Sequence, residues 1–407
     1  MSALNFLLEI LIFCRIIILY KLQKQKSVEI MFIDKIIEKT TLWDYLKTIN
    51  NSKPLILYGM GNGADKILNL CAEKNIKVSG VFSSDEFVRG NYFRGFKIKK
   101  LSEIEEEYED FCILTGFATN QDEVIDRIYK LNEKYELYAP NFPVFGIQYP
   151  DYNFFAENID SIEKAYLLLS DDYSRNIYIN AINFMISGKL KYLKDIETKK
   201  SDALNLLDLR EELYYIDIGA YNGDTVFELK NELDNKNINI KKITAFEPDK
   251  KNFIKLEKNL LENNILNKCE LYNIGAWSEE KTLYFDSKSG RNSNVGRDDP
   301  GAPLSNPKNI KEIPVNSLDN IIKSCDLNSE TLIKYDVEGA EYEALTGTQG
   351  IIKKYSPKLI VSLYHRNEDI FKLILLIYSI NPNYKFYIRK HKYIPCWDLN
   401  LYAVPIC

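Results

Sequence analysis

The chain has 407 residues, 45% hydrophobic and 27% charged, an ordinary globular composition with length for roughly two to three domains and sizeable cores. A formal net charge of −5 argues against a nucleic-acid partner, which usually needs a basic face. The seven cysteines are scattered, odd in number and without a C-x-x-C pair, which suits reduced thiols in the cytoplasm better than a disulfide framework or a zinc site.

Residues 1–30 pose the membrane question. Leu4–Tyr20 is apolar but holds Asn5, Glu9 and Arg15, and Lys21, Lys24 and Lys26 follow it. Spanning needs about 20 apolar residues, and a charge near the centre costs roughly 2.5–3.5 kcal/mol. Two charges argue against spanning. A surface or packed helix, or an extension ahead of a start at Met31, are the alternatives, and membrane association would run through residues 4–20.

Residues 31–150 read as a small doubly wound α/β domain. An amphipathic helix over Met31–Asn50 precedes a buried strand, Pro54-Leu-Ile-Leu-Tyr58, and a helix from about Gly63 to Lys74. Val78–Phe82, Phe111–Thr115 and Glu136–Tyr138 are further strands, with a helix at Asp122–Tyr135. Gly59-x-Gly61-x-x-Ala64 has the dinucleotide-turn form, with Asp85 about 20 residues on. It can serve a nucleotide, a nucleotide-linked sugar, or no ligand at all, as a scaffold or dimerisation element. A helical connector over residues 151–207 follows, with helices at Ser161–Leu169 and Tyr173–Ser187.

Residues 208–407 carry the chemistry. A buried strand, Leu213–Ile218, runs into Asp217-x-Gly219-x-x-x-Gly223 and a helix, Thr225–Leu233. The next strand, Lys242–Phe246, ends at Glu247, where a carboxylate can take two hydrogen bonds from a ribose diol. With no pyrophosphate cradle in the turn, a nucleoside such as S-adenosylmethionine is the expected ligand. Cys269–Ile274, Thr331–Tyr335 and Lys358–Leu363 continue the sheet, and Tyr384–Ile388 with Leu399–Val404 close it as an antiparallel pair.

Six segments in order, Ile216–Thr225, Ala245–Asp249, Asn273–Ser278, Leu332–Glu341, Pro357–His365 and Asn383–Arg389, resemble the FkbM family of S-adenosylmethionine-dependent methyltransferases. The resemblance covers about the C-terminal half. It implies a class I, Rossmann-like methyltransferase sheet behind the smaller N-terminal α/β domain and its connector. It also implies O-methylation of natural-product or glycan acceptors. The nucleotide-type turn on the same chain tilts the acceptor toward a sugar or a nucleotide-linked sugar, as a small-molecule partner.

Individual residues follow. Asp217, Gly219, Ala220, Gly223 and Glu247 are expected to bind the cofactor, with Ala276 and Trp277 placed for adenine. Trp277 reads equally as core. Asp336, Glu338 and His365 lie at the strand rim and are expected to be catalytic, His365 as base because imidazole ordinarily titrates near 6.5. Glu341 reads as a helix-start charge and His391 as solvent-facing. The Asp/Glu/His set has no metal-ligand spacing, so no metal is expected. Ser287–Asn309, with Arg291, Asn292, Ser293, Asn294 and Arg297, is expected to be a lid. Two other readings stand beside this one. One is a nicotinamide-dependent oxidoreductase or epimerase using Gly59 and Gly61. The other is a methyltransferase fold without turnover, acting as an interaction module.

Overall fold

The computed structural model describes residues 32–142, 144, 149–210, 212–286, 310–322, 327 and 330–406. The apolar segment 4–20, Met31 and the expected lid over Ser287–Asn309, with its two arginines, lie outside the described residues. The chain divides at Ile37 into two units, and everything functional below lies in Glu38–Cys407. Where one helix was expected over Met31–Asn50 there are two, α1 (Phe32–Lys35) and α2 (Leu42–Ile49). Thr41 starts the second, its hydroxyl accepting from Asp44 N at 3.1 Å.

The first sheet of this unit is six-stranded, in the order β3-β4-β2-β1-β5-β6. Its elements are β1 (Leu55–Tyr58), α3 (Asn62–Glu73), β2 (Val78–Phe82), β3 (Tyr92–Phe93), β4 (Phe96–Lys99), α4 (Leu101–Glu107), β5 (Cys112–Thr115), α5 (Asp122–Lys134) and β6 (Glu136–Tyr138). β1 is buried at every residue and pairs in parallel with β2 and β5, which explains its unbroken apolar run. The β3–β4 hairpin and α4 go beyond the sequence expectation, because elements of two, four and seven residues carry little periodicity.

The connector holds α6 (Tyr152–Glu157), α7 (Ile159–Leu168), α8 (Asp172–Ser187), α9 (Lys191–Lys194) and α10 (Lys200–Leu204). α8 lies along the second sheet. Its buried Ser174 accepts from Ile388 N at 2.9 Å, and its N-cap Asp171 pairs with Arg389 at 2.6 Å.

The second sheet is seven-stranded, in the order β15-β16-β14-β13-β7-β8-β9. Its elements are β7 (Leu213–Ile218), α11 (Asp224–Asp234), β8 (Ile240–Phe246), α12 (Lys250–Glu262) and β9 (Cys269–Tyr272). A small three-stranded sheet follows, β10 (Gly275–Ala276), β11 (Lys281–Asp286) and β12 (Ile310–Asn316), then α13 (Leu318–Ile321). The main sheet resumes with β13 (Thr331–Tyr335), α14 (Glu341–Thr346), α15 (Gln349–Tyr355), β14 (Lys358–Ser362), α16 (Asp369–Ile380), β15 (Tyr384–Lys390) and β16 (Leu399–Pro405). β7, β8, β9, β13 and β14 run parallel, and β16 is antiparallel to both β14 and β15. This is the Rossmann-like methyltransferase arrangement expected from the sequence. Ligands of such sheets bind beyond the carboxyl ends of the strands, where Asp217, Glu247, Asp336 and His365 all lie.

Candidate active site

The β7–α11 turn is held by the protein's own backbone. Gly219 N and Ala220 N both donate to Phe246 O at 3.0 Å, and Tyr221 N donates to Glu247 Oε2 at 2.9 Å. Gly219 has φ +89°, and a Cβ there would stand 1.9 Å from Asp336 O. Gly223 has φ +90°, and its Cβ would meet Leu256 and Phe227 at 3.1 and 3.2 Å. The sequence reading reserved these positions for a ligand against the backbone. The structure fills the Cβ directions with protein atoms, so backbone strain and close chain approach dictate glycine here.

Glu247 closes β8. Its Oε1 accepts from Asp249 N at 2.7 Å, its Oε2 from Tyr221 N, and Asn273 Nδ2 donates to its main-chain oxygen at 2.8 Å. Asp217 is fully buried. Its Oδ2 accepts from Thr225 Oγ1 at 2.5 Å, while Oδ1 accepts no hydrogen bond and lies 3.9 Å from Lys334 Nζ. Burial raises the Asp217 carboxyl above the usual aspartate range.

Ala276 and Trp277 correct the sequence reading. β9 ends at Tyr272, and both residues belong to the small sheet, 4% and 7% exposed. Trp277 packs with Leu283 and Val315 and donates its amide to Asn316 O at 2.9 Å, so it is core.

At the tip of β13, Lys334 Nζ reaches Asp336 Oδ2 at 3.1 Å. Tyr364 Oη donates to Asp336 Oδ1 at 3.3 Å, and His365 Nε2 lies 3.4 Å from the same oxygen. The other ring nitrogen of His365, Nδ1, bonds Glu341 Oε1 at 2.7 Å. Glu341, fully buried, also accepts from Val337 N at 2.8 Å and Gly339 N at 3.1 Å. The sequence reading gave Glu341 only a helix-start charge; it is the partner that fixes the His365 ring. Nothing local in the sequence marks the pair, which lies 24 residues apart on separate elements.

Charge follows geometry. Burial alone would lower His365, but Glu341 and Asp336 outweigh it and hold the imidazole up at about 9. At neutral pH His365 is an imidazolium, not the free base the sequence reading expected. Burial would raise Asp336, yet Lys334 and His365 outweigh it and keep the carboxyl below its usual range. Asp369, whose Oδ2 accepts from Arg366 N at 2.9 Å, is raised well above the carboxylate range by burial and by Glu341. His391 is 4% exposed, not solvent-facing. It bonds Thr198 O at 2.8 Å and Tyr402 Oη at 2.9 Å, and burial lowers its pKa.

Asp336, Glu341 and His365 each present a metal-ligand atom, all within 4.8 Å of one another. Glu341 and Asp336 occupy opposite ring nitrogens, and one imidazole cannot aim both at a single ion. The Lys334 ammonium beside Asp336 adds repulsion for a cation. Proton sharing suits this set better.

A cleft of about 1360 Å³ adjoins the site. Asp336, Glu338 and His365 line it together with Asp224 and Thr225 of α11 and residues of the first sheet. Glu247, Asp217, Gly219, Ala220, Gly223, Ala276 and Trp277 do not line it, although Lys334 bridges Asp217 to Asp336 at its edge. In the first sheet's glycine turn, a Cβ on Gly59 would stand 2.4 Å from the Phe117 ring, and one on Gly63 would stand 2.5 Å from Gly116 O. Packing accounts for Gly59 and Gly63, whereas Gly61, at φ +102°, has nothing within 4 Å of its Cβ position.

Residues 217–394 match the family model described as methyltransferase FkbM domain, and residues 51–137 match one described as C2185-like, N-terminal. Among curated proteins, none matches the sequence. The solved structure of methyltransferase FkbM from Methylobacillus flagellatus KT superposes with a TM-score of 0.65 at 20% identity, covering 91% of this chain and 95% of that one, which shows a shared fold. An rRNA methylase from Streptococcus thermophilus (TM-score 0.31, 14% identity, 51% of this chain and 94% of that one) is more distant. So is a SAM dependent methyltransferase from Aquifex aeolicus (TM-score 0.29, 10% identity, 57% of this chain and 98% of that one).

Proposed function

We propose that this chain, whose residues 217–394 match the family model described as methyltransferase FkbM domain, transfers a methyl group from S-adenosylmethionine to a hydroxyl of a sugar, glycan precursor or related small molecule. The observation that carries the reading is the row of carboxylates Glu247, Asp217 and Asp336 at the carboxyl ends of three adjacent parallel strands, beside a left-handed glycine turn. The donor set suits the cofactor. A carboxylate at Glu247 has the chemistry to accept from a ribose diol, and the unbonded Oδ1 of Asp217 suits a cationic or hydrogen-donating group. When bound, S-adenosylmethionine supplies a methyl on a sulfonium, whose C–S electron pair leaves to sulfur as the new C–O bond forms.

Asp336 is the proton acceptor in this reading. The acceptor hydroxyl becomes strongly acidic as its oxygen bonds carbon, so a carboxylate suffices to take the proton. His365, held as imidazolium by Glu341, and Lys334 keep Asp336 ionised and aimed. Glu338, exposed in the cleft beside them, adds negative potential where a cationic methyl donor must approach.

Calorimetry with S-adenosylhomocysteine tests the cofactor. Mass spectrometry of glycans from cells with and without the chain, searching for the mass of one added methyl, tests the reaction. Glu247→Ala should weaken S-adenosylhomocysteine binding at least about tenfold with the fold intact, since a charge-assisted bond to a diol is worth roughly 1.5–3 kcal/mol. Unchanged affinity would remove Glu247 as the ribose ligand.

A further inference from the structure

The cleft beside Asp336 is built by both sheets. One face of α3 lines it through Asn62, Asp65, Lys66 and Asn69, spaced three, four and seven residues from the first, while Ala64 and Cys71 are buried away from it. Phe117 and Asn120 enter from the loop after β5. From the second sheet come Tyr364 and the 391–398 loop with Tyr393 and Trp397. Tyr393 and Trp397 lie with ring centroids 5.7 Å apart, and Trp397 and Tyr364 with centroids 6.5 Å apart and planes at 27°.

These parts are fastened to one another. Thr119 and Ile394 exchange backbone hydrogen bonds of 2.8 and 2.9 Å, Lys392 Nζ meets Asp122 at 2.7 Å, and Trp397 Nε1 donates to Phe142 O at 3.3 Å. The aromatic wall next to Asp336 is therefore set in place by the first sheet. At about 1360 Å³ the cleft exceeds the usual range of roughly 300–1,000 Å³ for a small-ligand pocket. Its charges lean acidic: Asp65, Asp224, Glu228, Asp336, Glu338 and Asp398 outnumber Lys66, Lys200, Lys334 and the His365 imidazolium.

We propose that this cleft is the acceptor site, that the first sheet sets its specificity, and that its ligand is an uncharged polyhydroxylated ring, such as a glycoside, and not a nucleotide-linked sugar. Aromatic faces cover the C–H surface of a sugar ring, and the exposed carboxamides of Asn62, Asn69 and Asn120 both donate to and accept from hydroxyls. A diphosphate would enter against an excess of carboxylates. The inference rests on the methyl-transfer reading above and deepens it.

The test uses the full chain, S-adenosylmethionine, and paired probes: methyl glycosides and the same sugars as nucleoside diphosphate esters. The glycosides are expected to be methylated with kcat/KM at least about tenfold above the diphosphate esters. Asn62→Ala and Asn120→Ala should each raise KM for the glycoside by about threefold to tenfold, the loss of one hydrogen bond. Their kcat and S-adenosylhomocysteine affinity should stay unchanged. Trp397→Phe should keep most activity and Trp397→Ala lose it, with circular dichroism confirming that both fold. Preference for the diphosphate esters, unchanged KM in both asparagine variants, or S-adenosylhomocysteine binding without transfer to any probe would each overturn the inference. Failure to bind S-adenosylhomocysteine would overturn the methyltransferase reading itself.

Discussion

Two histidines with opposite surroundings make the site's protonation directly observable. At pH 7.5 we expect one imidazolium, His365, and one neutral ring, His391, in proton–nitrogen spectra assigned with a His391→Asn variant. Glu341→Gln removes the anion that raises His365, so the ring should titrate closer to 6.5; an unmoved titration near 9 would refute Glu341 as its partner. Stability follows with a definite sign. A histidine raised to about 9 contributes stability that is complete below its unfolded value, near 6.5, and is lost as pH rises through about 9. Alkaline weakening between those values should therefore be smaller in Glu341→Gln than in the parent, as measured by urea unfolding. At Gly219, alanine would place a methyl against the Asp336 carbonyl at a left-handed φ. Overpacking at about 1–3 kcal/mol and strain of order 1 kcal/mol should lower the midpoint of thermal unfolding markedly. A Gly219→Ala variant of parental stability would show that the turn gives way.

β13 carries the lysine that joins Asp217 to Asp336. Lys334 faces Asp217 across the strand pair and Asp336 two residues along its own strand, and it is held above the ordinary lysine range because both acids outweigh burial. In Lys334→Met the two carboxylates lose their cation and their folded pKa values rise. A raised carboxylate contributes stability that is complete below its unfolded value and lost as pH climbs through the folded one. The variant's deficit should therefore be large at pH 8 and shrink toward pH 5; a deficit independent of pH would mean that Lys334 acts by packing alone. The same strand shows what sequence could convey. A buried parallel strand ending in a carboxylate is written in apolar residues and a terminal acid, so β7, β8, β13 and β14 and the places of Asp217, Glu247, Asp336 and His365 could all be read. The ring partner of His365 could not, because Glu341 lies 24 residues away on another element and looks like any helix-start glutamate. Ala276 and Trp277 misled for a related reason. The run after β9 is as apolar as a strand end, and nothing local says that it leaves the main sheet for a smaller one.

Across Glu38–Cys407 the connector and the second sheet are tied by polar bolts, one of them the buried Arg389. It bonds Asp171 at 2.6 Å and Ser174 at 2.8 Å, pinning the start of α8 to β15. Arg389→Ala leaves Ser174 and a partly exposed Asp171 without their cation. The expected loss is roughly 1–3 kcal/mol, below that of a fully buried pair because water reaches Asp171. Chemical denaturation showing no change would assign the bolt a purely orienting role. β16 imposes a different kind of constraint. It follows β15 in sequence yet lies between β15 and β14, so the strand bearing His365 at its tip cannot gain its second neighbour until Leu399–Pro405 has been synthesised. On the ribosome, the growing chain must carry an open, mostly apolar edge at Leu359–Ser362 through the synthesis of about 40 further residues. The surroundings of His365 are thus among the last parts of the molecule to be completed, and nascent chains stalled before β16 should be the ones that chaperones hold and proteases find.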